Sequence, residues 1–130
     1  MKKLFSLLLV FAMILSLCAC SGKINKSNVL GTWETEFIAD YKTSSVHIGD
    51  KMIETYNMYE GDVCDYILYN ETTNKKLMQL SGTYEIKDNN ILTITIQSSV
   101  SGSIITSLKF DSGKDVLVSV KDSKKTFYKK

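Results

Sequence analysis

Across 130 residues the chain carries 16 lysines and no arginine against 14 acidic residues, a formal net charge of +2, with one histidine and no proline. That length holds one domain rather than two, and without the planar guanidinium fork a near-neutral domain is a poor reader of phosphate or nucleic acid. Two of the three cysteines, Cys18 and Cys20, close an apolar N-terminal run read below as a leader, and the remaining Cys64 and His47 are too few for a Cys/His zinc centre.

Lys2 and Lys3 precede an apolar run from Leu4 to Leu17 broken only by Ser6 and Ser16, the pattern of a secretory signal peptide. Leu4 to Cys20 is 17 residues; as a helix it reaches about 25 Å, short of the roughly 30 Å hydrocarbon core of a bilayer. Leu17-Cys18-Ala19-Cys20 resembles the bacterial lipobox. The resemblance implies cleavage before Cys20, a diacylglycerol thioether on its sulfur, acyl chains such as palmitate, and residence on the extracytoplasmic face of the cell membrane. Two or more chains anchor stably where one does not. The expected organisation is a helical signal peptide over 1–19, a lipidated cysteine and polar tether over 20–28, and one domain over 29–130.

From Gly31 onward, turn clusters rich in Gly, Asn, Asp and Ser separate short apolar-polar runs, which predicts antiparallel β-structure. Gly31 to Ala39 reads as a strand with Trp33, Phe37 and Thr35 inward and Glu34 and Glu36 outward. Lys51 to Tyr59 is ambiguous: Met52, Ile53, Tyr56 and Tyr59 fit a short helix, and the alternation Ile53, Thr55, Asn57, Tyr59 is a poor strand face. The need for hairpin partners on both sides favours a strand. Val63 to Tyr69 follows, with Cys64, Tyr66 and Leu68 on one face and Cys64 a small buried residue.

Leu77 to Lys87 places Met78, Leu80, Tyr84 and Ile86 together, and Gly82 marks a bulge or sharp bend. Ile91 to Ile96 alternates Leu92, Ile94 and Ile96 with Thr93 and Thr95. Ile104, Thr106, Leu108 and Phe110 face one way on the next strand; Val116, Val118 and Val120 continue that face, with Ser119 outward. Thr126 to Lys129 sets Phe127 and Tyr128 on opposite sides. Tight links between these segments predict an up-and-down meander of six to eight strands, all-β, closing into a small barrel.

Leu30-Gly31-Thr32-Trp33-Glu34 and Gly82-Thr83-Tyr84-Glu85-Ile86, followed by Ile91-Leu92-Thr93-Ile94 and the ending Phe127-Tyr128-Lys129-Lys130, resemble the small bacterial lipocalin-like lipoproteins of unknown function. The resemblance covers Leu30 to Lys130 and implies a lipocalin-like barrel opened by the Gly-x-Trp strand. In ligand-transporting lipocalins an arginine from a late strand lies near that tryptophan, and this chain has none.

The chemistry-bearing residues point away from catalysis. The only histidine, His47, lies in a loop-to-strand segment without an adjacent nucleophile, no Ser-x-x-Lys array sits in a helix, and no glycine-rich phosphate loop exists. Glu60-Gly61-Asp62 with Asp65 departs from the calcium-loop spacing. No metal and no cofactor is expected. Residues 34–71 hold nine acids against Lys42 and Lys51, whereas residues 72–130 hold ten lysines against five acids. The expected function is a noncatalytic binding module with two forms of partner besides the membrane. A small apolar ligand would lie in a cavity lined by Trp33, Phe37, Tyr66, Tyr84 and Phe110. A surface protein would meet a recognition face of Tyr41, Tyr56, Tyr59 and Tyr69. The alternative is an envelope-maintenance lipoprotein whose barrel is filled by its own side chains and has no specific ligand.

Overall fold

The computed structural model describes residues 25–87 and 90–130. The signal peptide, Cys20 and the Asp88-Asn89 link lie outside the described residues. One helical turn, α1 (Lys26–Val29), precedes eight strands: β1 (Gly31–Ile38), β2 (Lys51–Met58), β3 (Val63–Asn70), β4 (Lys75–Lys87), β5 (Ile91–Ser98), β6 (Gly102–Asp111), β7 (Val116–Ser119) and β8 (Thr126–Lys129). Each strand pairs antiparallel with the next, and β8 returns to β1, closing the barrel. The meander predicted from turn spacing is therefore the observed architecture.

Alternation decides which side chains enter. On β1, Trp33 and Thr35 are buried and Glu36 is exposed, as the sequence predicts. On β2 the strand reading holds with the opposite parity. Met52, Tyr56 and Met58 are buried, and that register carries Glu54 inward as well. On β7 the expected face is corrected. Leu117 pairs with Phe110 and Ser119 with Leu108, so Leu117 and Ser119 point inward, while Val118 faces out and Val120 is exposed. Val116 is buried as expected, but the alternation fails after it because a four-residue strand carries too few positions to fix parity.

Gly82 is not the bulge. The register slips instead between Leu68 and Tyr69 of β3 as they meet β4, so that Leu68 opposes Met78 and Tyr69 opposes Lys76. At Gly82 the reason is close approach. A Cβ there would fall well inside contact distance of the Thr95 carbonyl oxygen and 2.8 Å from Ile96 Cδ1. A side chain at this position must push β5 away.

The barrel has two unlike ends. At one, α1 folds under the strands. Asn25 caps it by accepting from Asn28 N–H at 3.1 Å, Val29 is fully buried, and Trp33 Nε1 donates to the Val29 carbonyl at 2.8 Å. The stretch read as tether is thus structured from Lys26. Phe110 meets Trp33 edge-on at 6.4 Å between ring centroids, and Tyr84 donates to the Tyr59 carbonyl at 2.7 Å. Met58, Cys64, Leu92, Ile94 and Leu117 fill the remaining space.

The other end is roofed by the long β1–β2 connection. Ala39 and Val46 pack on Met52 as a second small core, with Phe37, Leu68 and Leu77 against it. Asn70, at 0% exposure, ties this roof to β3. Its Nδ2 donates to Asp50 Oδ2 at 2.7 Å and to the Ser45 carbonyl at 3.3 Å, and its Oδ1 accepts from Thr73 N–H at 3.1 Å. The His47 backbone N–H and then the Asn70 amide hold the Asp50 carboxyl below its ordinary value.

Two substitutions test this account. Gly82→Val lowers stability by about 2 kcal/mol or more, read by thermal or denaturant unfolding, because the clash is with backbone. Asn70→Ala leaves buried polar groups unpaired and lowers Tm by at least about 5 °C.

Candidate functional site

Between the packed end and the roof the barrel is hollow and half open to solvent, past the exposed Met78 and Ile104. A cavity of about 270 Å³ is lined on its apolar side by Leu68, Met78, Leu80, Ile96, Ile104 and Leu108. Tyr56, Tyr66, Phe127, Thr106, Ser119, Glu54 and Lys125 complete it. The strands alone do not fill this section because its inward positions on β2, β6 and β7 are Glu54, Thr106 and Ser119 rather than large apolar residues.

Glu54 is the polar centre. It sits in mid-strand on β2, opposite Thr35 on β1 and Leu68 on β3. Tyr66 Oη donates to its Oε1 at 2.7 Å, and the Lys125 ammonium pairs with its Oε2. The Glu54 side chain is only 13% exposed, against 36% for Lys125. That asymmetry sets the energetics. Removing the partner of a buried charge costs about 3–5 kcal/mol, whereas the pair itself is near neutral against an apolar replacement. Lys125 reaches inward from the β7–β8 connection, and its ammonium lies 5.9 Å from the Phe37 ring centroid and 5.8 Å from that of Phe127. The carboxylate and two aromatic faces therefore surround one cation. Lys125 also borders an outer cleft formed with Thr35, Glu36, Phe37, Asp122 and Lys124, so it stands between the interior and the surface.

The aromatic wall is equally ordered. Tyr56 lies 5.2 Å from Tyr66 and 5.3 Å from Phe127 by ring centroids. Burial pushes the Tyr56 phenol up to about 12, partly offset by a hydrogen bond with Thr106. Burial, then the Glu54 charge and the hydrogen bond to it, raise Tyr66 further, with Tyr41 adding to the effect. Burial pushes the Cys64 thiol up to about 11, which keeps it protonated and unreactive.

Of the residues the sequence proposed as lining, Tyr66 borders the cavity. Trp33, Tyr84 and Phe110 belong to the packed end, and Phe37 lines the outer cleft beside Lys125. Of the proposed recognition face, Tyr41 and Tyr59 are exposed and Tyr69 hydrogen-bonds to Asn74. Tyr56 is corrected: at 5% exposure it is an interior residue, because the β2 parity turns it inward. Several acids of the first half are matched by lysines, among them Glu34 by Lys130, Glu54 by Lys125 and Asp62 by Lys26. His47 is a surface residue with its imidazole 65% exposed. Among the described residues no group of three or more His, Cys, Asp or Glu side chains converges to hold a metal ion, and no helix is long and apolar enough to cross a membrane.

Glu54 and Lys125 are the functional candidates the sequence reading missed. Met52-x-Glu54-x-Tyr56-x-Met58 carries the signal for the first, an acid flanked by buried residues at period two. No local pattern marks Lys125, whose partner is 71 residues away. No protein-family model, curated protein or solved structure matches the chain.

The buried phenols and thiol give a pH signature. Their folded values lie above the ordinary ones, so their contribution to stability is complete below pH 9.0 and lost as pH rises toward about 12. Tm measured across pH 7 to 12 is expected to hold level to about 9 and then to fall steadily; a level Tm throughout would mean that Tyr56 and Tyr66 are solvated.

Proposed function

We propose that the protein is a noncatalytic, lipid-anchored extracytoplasmic lipoprotein whose lipocalin-like barrel takes up a small, mostly apolar molecule in its hollow section. The observation that carries this reading is the cavity of about 270 Å³ with apolar walls and, at its edge, a Glu54–Lys125 ion pair of which only the carboxylate is largely buried. Ligand sites combine an apolar enclosure with few, placed polar groups. A surplus of apolar filling, as in the packed end, would have served a mere spacer better.

The lipocalin-like part of the proposal is supported by the closed antiparallel eight-strand order and by Trp33 at the sealed end. Where ligand-transporting lipocalins have an arginine near this tryptophan, Lys129 here holds its ammonium 5.5 Å from the Trp33 ring and donates to the Asn28 carbonyl at 3.3 Å. A lysine thus supplies the cation that an arginine-free chain lacks in its usual form. Anchoring is supported by the Leu17-Cys18-Ala19-Cys20 lipobox and its preceding apolar run; Cys20 is the acylated residue in this proposal.

Native mass spectrometry of the chain isolated from the source membrane tests the binding reading. A small adduct is expected under native conditions and lost on denaturation. Leu80→Trp, which fills the cavity from β4, is expected to remove the adduct while circular dichroism stays that of a β-barrel. A bare wild-type chain in both states would favour the spacer instead.

A further inference from the structure

We propose that the hollow section is a site for a small organic ammonium, and that Lys125 is its built-in occupant. A primary amine on a compact apolar body seats its charged nitrogen against Glu54, Phe37 and Phe127 and turns the Lys125 side chain out to solvent. This rests on the reading of the cavity as a ligand site.

The position now held by Lys125 Nζ has what a cation site requires: a carboxylate oxygen of Glu54 and two ring faces, 5.9 and 5.8 Å away. The carboxylate is the fixed partner. It lies on an interior strand, 13% exposed, with Tyr66 donating to its other oxygen at 2.7 Å. The cation is the exchangeable partner, carried by a surface connection and 36% exposed. It also has somewhere to go, since Lys125 borders the outer cleft that contains Glu36 and Asp122. An incoming amine replaces one ammonium by another and leaves Glu54 paired throughout. An incoming carboxylate would have to draw Lys125 from Glu54 and set a second anion beside a buried one. The apolar body of the amine lies against Leu68, Leu80, Ile96 and Leu108.

Three probes with one apolar body separate the possibilities: 2-phenylethylamine, 2-phenylethanol and 3-phenylpropionate. Each is titrated calorimetrically into the whole processed chain in phosphatidylcholine nanodiscs, with empty nanodiscs subtracted. The amine is expected to bind about tenfold or more tighter than the alcohol or the carboxylate. Glu54→Gln loses about tenfold or more in amine affinity, and Lys125→Ala gains about threefold or more because an internal competitor is gone. The sign of the Lys125→Ala effect is decisive even where Glu54→Gln fails to fold. Weaker amine binding by Lys125→Ala, or a preference for the carboxylate that this variant abolishes, overturns the proposal. If all three probes bind alike and neither substitution matters, the cavity remains a ligand site and the ammonium assignment falls. If none binds, both fall.

Discussion

Everything in this barrel depends on a closure only two residue pairs long. Strand β8 meets β1 at Trp33 with Lys129 and at Glu34 with Tyr128, and an unclosed meander would leave two open edges for other chains to pair with. The seam is reinforced from the side. Lys130 N–H donates to the Thr32 carbonyl at 2.9 Å, its ammonium lies 3.3 Å from a Glu34 carboxylate oxygen, and Lys129 sits over the Trp33 ring. The lysine-rich C-terminus is thus structural rather than a loose basic tail.

The shortness of the seam also leaves the hollow section uncovered by strand on one flank. β1 runs on to Ile38, whereas β8 begins only at Thr126, so the roof-side half of β1 has no strand neighbour on that flank. The β7–β8 connection passes there instead and sends Lys125 inward to Glu54. At the opposite end Val29 of α1, Trp33 and Phe110 are buried in one apolar cluster, each large apolar side chain contributing about 1.5–3 kcal/mol on burial. A buried ion pair in the hollow section adds little net stability by comparison.

How far the sequence carried the structure follows from the same geometry. Where several inward positions repeat in one strand, as at Leu92, Ile94 and Ile96, period two was unambiguous and the observed face agrees. Where a strand is four residues long, as with Val116 to Ser119, parity was set by the facing partners Leu108 and Phe110, which lie on another strand. In β2 the inward set contains a glutamate, and a charged residue at a core position hides the alternation that Met52, Tyr56 and Met58 otherwise spell out. The seven aromatics between Trp33 and Tyr69 were visible, but which of them face a cavity depends on which cross-section of the barrel is left unfilled. That depends on Thr106, Ser119 and Glu54, three small or polar inward residues on separate strands.

The central claim is that one section of this barrel is hollow and the other solid. Methyl NMR of the folded chain under xenon pressure measures this directly, since xenon enters apolar cavities and leaves packed cores alone. Saturable shifts at Leu68, Leu80, Ile96, Ile104 and Leu108, with Val29, Leu92 and Leu117 unmoved, are what the structure predicts. Methyl signals that all stay still, or that shift evenly at both ends, would contradict it.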